Sequence, residues 1–433
     1  MSQTRLLPSS PLRIAHVMAG AASGGAELFY ERLCMAQHES GHDVRAVLRR
    51  DPARESRLKA KGVRTEAMRF GGRLDFMTTI RLRQSLTQFE PQIVIAWMSR
   101  AARMLPKGPW PMAGRLGGYY DLANYRRCSD LIGNTRGLAR WMIAQGWPAD
   151  NVHYLPNFAT DLSGVAPERP PCVAEGQKFI LALGRLHRNK AFDVLIRAMK
   201  ALPGVHLVIA GEGPEREALT ALAASEGVTD RVHMPGWVQD SGAWLKACDL
   251  LVCPSRIEPL GNVVIEALSA ARPIVASAIQ GPEEVLSGTE DGLLSPVEDP
   301  QALAEAIGRV LETPELAERL ARNGRARFER EFSAPTVLAR WDAFLSAMAS
   351  RQSGAASACA ALRALPAFPV TSLTRSFLIS WRRLCVIADL MAKDFTRRVQ
   401  PPWCIGVCRL SILRAARSRS LRLDGSGRQW GDL

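Results

Sequence analysis

Short apolar runs alternate with amphipathic stretches from residue 13 almost to residue 348, and that alternation constrains the fold more than any other feature. Residues 13–18, 44–48, 92–97, 130–134 and 152–155 read as strands, with helices over 26–39, 80–89 and 138–145. Runs apolar on both faces belong to a parallel sheet covered on each side by helices. The pattern then breaks: 157–177 holds Pro167, Pro170 and Pro171 and little periodic hydrophobicity, as a linker does. A second series follows, with strands at 178–183, 205–210, 249–253 and 273–277 and helices over 193–201, 215–226, 300–312 and 314–332. One more amphipathic helix is expected over 337–348. The expectation is α/β: two doubly wound domains, 12–160 and 178–332, joined by 161–177, with a closing helix in 333–349 and a tail from 351 to 433. Ligands of such sheets bind beyond the carboxyl ends of the strands.

Charge excludes one class of partner. The net charge is +14, but residues 351–433 hold 14 of the 56 Lys and Arg and only 4 of the 42 Asp and Glu. That leaves +4 for residues 1–350, and the tail shows no folded basic and aromatic platform, so no nucleic-acid partner is expected. At 47% hydrophobic and 23% charged, the chain should bury an ordinary core. No window approaches the roughly 18 apolar residues of a membrane span. Residues 1–11 lack an apolar signal core, so a cytoplasmic protein is expected. The nine cysteines are scattered. Cys404 and Cys408 lack a second Cys or His pair nearby to complete a zinc site, and thiols in a reducing compartment are expected.

Three motifs fall at strand ends. Gly20-Ala-Ala-Ser-Gly24-Gly25 runs from the first strand into a helix, where backbone can approach a ligand and free N–H groups favour a phosphate. A tight turn with no ligand is the other reading. Gly184-Arg185-Leu186-His187-Arg188-Asn189-Lys190 places two cations suited to a diphosphate, Arg185 as a fork and Lys190 as a point charge. In Pro254-Ser-Arg-Ile-Glu258-Pro-Leu260-Gly261-Asn262-Val-Val-Ile-Glu266, two glutamates flank a helix start whose N–H groups are free. Carboxylates are natural acceptors for sugar and ribose hydroxyls.

Together with Ala210-Gly-Glu-Gly-Pro214, Pro235-Gly236 and Asp291-Gly-Leu-Leu294, these residues resemble the retaining GT-B glycosyltransferases with an E-x7-E motif, the family 4 or group 1 enzymes, over about residues 12–348. The resemblance implies transfer of a sugar, a hexose by expectation, from a nucleotide-sugar donor. Arg185 and Lys190 would neutralise the diphosphate beside Gly184, Glu258 would touch the sugar, Glu266 the ribose, and Pro235-Gly236 would lie near the base. Leu260, Gly261 and Asn262 would offer backbone N–H groups. The first domain would bind a glycan or lipid-linked acceptor, with Gly24 and Gly25 near the phosphates. No Asp-x-Asp occurs in the chain, so neither a metal clamp nor a cofactor is expected.

One departure stands out. Where many relatives carry a His after the strand near 113–116, this chain has Gly117-Gly-Tyr119-Tyr120-Asp121, which leaves a polar role to Asp121 or Tyr119, or to neither. His16, inside a strand, reads as a core histidine and His187 as a surface one. Arg100, Arg103, Lys107, Arg115, Arg126 and Arg127, interleaved with Trp97, Trp110, Tyr119, Tyr120 and Tyr125, suit an anionic glycan, lipid headgroups or a plain solvated face. In the tail, 376–395 has the pattern of an amphipathic helix for an anionic membrane surface, and an unselected extension is the other reading. Two rival functions stay open. A GT-B nucleotide-sugar epimerase would not be expected to carry this Glu pair. A catalytically silent glycan-binding scaffold is kept open by the missing His.

Overall fold

The computed structural model describes residues 11–364, apart from 22–23, 73–74, 239 and 287–289, and for 352–364 it describes the helical backbone alone. In chain order the first sheet's elements are β1 (Arg13–Met18), α1 (Gly25–Glu39), β2 (Asp43–Arg49), α2 (Pro52–Ala60), β3 (Arg64–Met68), α3 (Phe76–Phe89), β4 (Ile93–Trp97), α4 (Met98–Met104), β5 (Met112–Leu116), β6 (Asp130–Gly133), α5 (Arg136–Ala144) and β7 (Val152–Tyr154). The second series is β8 (Lys178–Leu183), α6 (Phe192–Ala198), β9 (Val205–Ala210), α7 (Arg216–Ser225), β10 (Val232–Gly236), α8 (Gly242–Ala247), β11 (Leu250–Cys253), α9 (Asn262–Ser269), β12 (Ile274–Ser277), α10 (Gln280–Val285), β13 (Leu293–Ser295), α11 (Pro300–Glu312) and α12 (Pro314–Arg327). α13 (Ala334–Ala364) follows.

The first sheet is ordered β3-β2-β1-β4-β5-β6-β7 and the second β10-β9-β8-β11-β12-β13. Every neighbouring pair is parallel. Strand order therefore reverses between β1 and β4 in one sheet and between β8 and β11 in the other, and such switch points open a crevice at the strand ends. Each sheet has apolar clusters on both faces, as the continuous apolar strands require. The described cysteines are free thiols, all buried except Cys172.

Three differences from the sequence reading have physical causes. β3 is an edge strand with a largely half-exposed pattern, so it needs no apolar run. β10, which the sequence reading did not expect, is an edge of the second sheet and contains Pro235, which an edge strand tolerates; Pro235-Gly236 ends this strand. The third concerns α13, which continues through 350 to Ala364, so the expected boundary between closing helix and tail falls inside one helix. Beyond Met348 the sequence is rich in Ala, which favours helix without marking an apolar stripe.

The stripe on α13 is Val337, Trp341, Phe344, Leu345 and Met348, all buried in the core beneath β1 and β4 of the first sheet. Burial of each contributes about 1.5–3 kcal/mol, an upper bound against an extended chain. His42 Nε2 meets Asp342 Oδ1 at 3.2 Å, and Arg351 Nη2 donates to Asp130 Oδ1 at 2.6 Å. The helix following the second sheet is thus a structural member of the first. Residues 365–433 lie outside the described residues, and with them the 376–395 segment and Cys404 and Cys408.

Candidate functional site

The loops after β8 and β11, the two strands at the second switch point, are stitched together. Arg256 and Ile257 donate backbone N–H to the Asn189 carbonyl at 2.8 and 3.3 Å. The Arg256 guanidinium grips both Asp193 oxygens, each at 2.8 Å, and also pairs with Glu298. Its hydrogen bonds to Asp193 and then Glu298 raise its pKa above the ordinary arginine value. Arg256 therefore clamps the Glu258 loop to the turn carrying Lys190. Sequence reasoning missed this pair, because Asp193 reads as an ordinary first-turn carboxylate of a helix.

The clamp brings two expected site residues into contact. Lys190 Nζ ion-pairs with Glu258 Oε2, and both side chains are mostly buried. Burial pulls the Lys190 pKa down, but Glu258 and then Cys253 together more than offset it, and the ammonium ends above its ordinary value. Gly184 packs on the Lys190 stem: a Cβ there would lie 3.2 Å from Lys190 Cε. Arg185 is exposed and has no ion-pair partner among the described residues. The β8 loop crosses the next one closely. Leu186 N–H donates to the Glu212 carbonyl at 2.9 Å, and a Cβ on Gly211 would sit 1.9 Å from the Gly184 carbonyl oxygen. That crossing is why the Ala-Gly-Glu-Gly-Pro run needs its glycine.

α9 starts at the same place. Gly261 precedes it with φ +86°, and no side chain caps the helix start. Leu260 is buried and offers the site its backbone alone. Glu266, just over one turn along, faces the first domain and lies 3.5 Å from Arg32 of α1. Burial raises the Glu266 carboxyl above its ordinary 4.5, with Arg32 opposing. Arg32 carried no signal in the sequence, since a polar residue on an amphipathic helix is unremarkable. Pro235 is exposed and Gly236 buried; the Gly236 carbonyl accepts from Gly211 N at 2.8 Å.

The first domain treats its strand ends differently. Ala21 N–H donates to Glu27 Oε1 at 2.8 Å, and a Cβ on Gly24 would lie 2.3 Å from Glu27 Oε2. The space these glycines leave is filled by the chain's own carboxylate. A Cβ on Gly25 would lie 2.7 Å from Asn262 Nδ2, so here the two domains nearly touch. Asp121 is exposed, and its carboxylate caps the turn 122–125 by accepting from Ala123 N at 2.9 Å. His187 is exposed and accepts from Asn189 N at 3.2 Å. His16 is a fully buried core residue: Trp97 Nε1 donates to its Nδ1 at 3.0 Å and its Nε2 meets Gln37 Oε1 at 2.7 Å. Burial lowers its pKa to about 4, so it is neutral at physiological pH.

The basic and aromatic cluster does not form one face. Trp97, Trp110, Arg115 and Tyr125 are buried, while Arg100, Arg103, Lys107, Tyr119 and Arg126 are exposed. Strand alternation and helix geometry, invisible in a count of residue types, separate them. Among the described residues no group of three or more His, Cys, Asp or Glu is placed to hold a metal ion.

Two doubly wound domains that meet across a cleft, with cations and carboxylates at the second switch point, define the GT-B class of sugar-transferring enzymes. The sequence profile described as glycosyl transferases group 1 matches residues 169–327. The lipopolysaccharide core biosynthesis glycosyltransferase LpsD of Rhizobium meliloti is 32% identical over 340 residues, covering 77% of this chain and 97% of that protein. LpsE of the same organism is 30% identical over 347 residues, covering 78% and 100%. The crystal structure of Anabaena HepE in complex with UDP-glucose aligns with a TM-score of 0.67 at 20% identity, covering 78% of this chain and 100% of that one. The chain belongs to the group 1 glycosyltransferases and is a glycosyltransferase of GT-B fold.

Proposed function

We propose that the protein transfers a sugar, with retention of configuration and without a metal ion, from a nucleotide-sugar donor to a lipid-linked, lipopolysaccharide-type acceptor. The observation that carries this reading is the Lys190–Glu258 pair beside the uncapped start of α9, with Glu266 eight residues beyond Glu258. An arriving diphosphate competes with Glu258 for the Lys190 ammonium. The exchange frees Glu258 to accept hydrogen bonds from the sugar, while Glu266 accepts from the ribose. As the bond from the anomeric carbon to the phosphate oxygen breaks, its electron pair leaves with the diphosphate. Lys190, Arg185 and the N–H groups at 261–263 stabilise that charge. The acceptor hydroxyl attacks on the face the diphosphate vacates, and its proton passes to a leaving phosphate oxygen. No protein nucleophile is needed. HepE, solved with UDP-glucose, supports the donor class, and LpsD and LpsE support the acceptor class.

A membrane surface as the acceptor's location has its own support. No helix among the described residues is long and apolar enough to cross a membrane. The start of α3 nevertheless exposes Phe76 (68%), Met77 (48%) and Ile80 (46%), with Arg69, Arg81 and Arg83 also exposed. Thr79 Oγ1 donates to the Met104 carbonyl at 3.3 Å, which sets this turn against α4 with its exposed Arg100 and Arg103. Apolar tips together with exposed cations suit an anionic bilayer on its cytoplasmic face.

The test is turnover of a panel of nucleotide sugars with and without a lipopolysaccharide-core acceptor, with the product anomer read by NMR. Acceptor-stimulated transfer with the donor's anomeric configuration kept is expected. Inversion contradicts the mechanism. Donor binding with no turnover under any condition favours the scaffold reading.

A further inference from the structure

Arg115 is a charged residue in an apolar place. It is 3% exposed, its guanidinium lies over Phe29 at 4.7 Å and over Trp97 at 4.8 Å, and no ion-pair partner for it occurs among the described residues. Burial lowers its pKa to about 9, so it stays charged at neutral pH. Its one strong hydrogen bond runs from Nη2 to Asn157 Oδ1, at 2.6 Å. Asn157, 4% exposed, in turn donates from Nδ2 to Asn262 Oδ1 at 2.8 Å.

The order of this chain is not free. A guanidinium only donates, so Asn157 must turn its oxygen to Arg115 and its NH₂ to Asn262. Asn262 must then turn its oxygen to Asn157, and its own NH₂ is left beside Gly25, at the start of α1. A buried cation in the first domain thus fixes the polarity of a side chain at the first residue of α9 in the second.

We infer that Arg115 and Asn157 are positioning residues that lock the Asn262 side-chain amide with its N–H groups toward the leaving diphosphate, adding a directed donor to the backbone N–H groups of the helix start. This rests on the nucleotide-sugar reading above. A preset donor spends nothing on reorientation when charge develops, and a lone Asn is free to present its oxygen instead. The arrangement also explains why an arginine is kept among aromatic rings without a carboxylate. A carboxylate there would reverse the relay.

Asn157→Asp tests this with almost no change of shape. The new carboxylate gives Arg115 a buried, hydrogen-bonded counter-ion, so the melting temperature should hold or rise. Its second oxygen can only accept, so Asn262 must flip and turn its own oxygen on the phosphate. In calorimetric titration with UDP, GDP and ADP, the wild type should bind one of them, and Asn157→Asp should bind that one at least tenfold more weakly. Asn262→Ala, at a half-exposed position, should lose a similar factor and serves as the deciding variant if Asn157→Asp unfolds. Wild-type binding with unchanged affinity in a folded Asn157→Asp, or in Asn262→Ala, overturns the relay alone. No binding of any of the three diphosphates to the wild type overturns the donor reading and the relay with it.

Discussion

At the switch point of the second sheet, the loops after β8 and β11 bring Arg185, Lys190 and Glu258 to the mouth of the crevice. At the corresponding point of the first sheet, Ala21 and Gly24 lie against the chain's own Glu27, and β5 turns Arg115 into a nest of aromatic rings. One topology therefore serves two purposes. The second domain holds its charge in the Lys190–Glu258 ion pair, which the proposed diphosphate would displace. The first domain has the charge at these strand ends satisfied or sequestered, and it reaches the second domain through two contacts: Arg32 to Glu266, and Asn157 to Asn262. A doubly wound sheet supplies the place for a site, while the side chains that end its strands decide whether the place is open.

The largest effect expected from breaking this contrast is at Lys190. Lys190→Ala should lower turnover by roughly a hundredfold to a thousandfold, since it removes a preorganised cation from the leaving group. Steady-state kinetics with a working donor measure it, and a loss under threefold would mean that the exchangeable charge lies elsewhere. Glu266→Ala comes next. Loss of a charged hydrogen-bond acceptor costs about 1.5–3 kcal/mol, so donor affinity should fall about ten- to a hundredfold with turnover at saturation much less changed. Equal binding by the variant would remove Glu266 from the donor site.

On the first domain the same kind of change should read as stability. Glu27→Ala frees the Ala21 N–H and empties the turn, so the protein should lose about 1–3 kcal/mol in denaturant melts, with donor affinity within a few fold of wild type. A collapse of donor affinity at unchanged stability would make the Gly-rich turn a phosphate site after all. The smallest effect expected is a shift with pH. Burial raises the Glu266 carboxyl, so as pH falls it loses its charge before a solvated glutamate does, and donor binding should weaken from above pH 4.5. Arg32 opposes that rise, so Arg32→Ala should move the acid limb of donor binding to higher pH. Affinity measured across the acid range checks the sign, and a move to lower pH would contradict the Arg32–Glu266 contact.

Much of this was legible in the sequence, for reasons that are themselves physical. Central strands such as β4, apolar at every position, announce themselves, and the Glu258 to Glu266 segment carries its strand end, glycine and helix start within a few residues. Edge strands β3 and β10 were obscured because one side of each meets solvent and their polarity hides them. The end of α13 was misplaced because alanine makes helix without making a face. Arg256–Asp193, Arg32–Glu266 and Arg115–Asn157–Asn262 join residues 63, 234 and as many as 147 apart in the chain. No local pattern encodes such pairs; they exist only once two sheets have placed their loops together. The first-domain cluster failed for the same reason in reverse, since neighbours in sequence such as Tyr119 and Tyr125 face solvent and core respectively.

In the proposed reaction, protein cations and no metal carry the charge of the leaving diphosphate. The most direct test is the rate of sugar transfer from a working nucleotide-sugar donor after exhaustive treatment with EDTA. The rate should stay within about twofold of the untreated enzyme and should not respond to added Mn²⁺ or Mg²⁺, if Lys190 and Arg185 do the work proposed for them in place of a divalent ion. Loss of activity in chelator, restored by either ion, would contradict it.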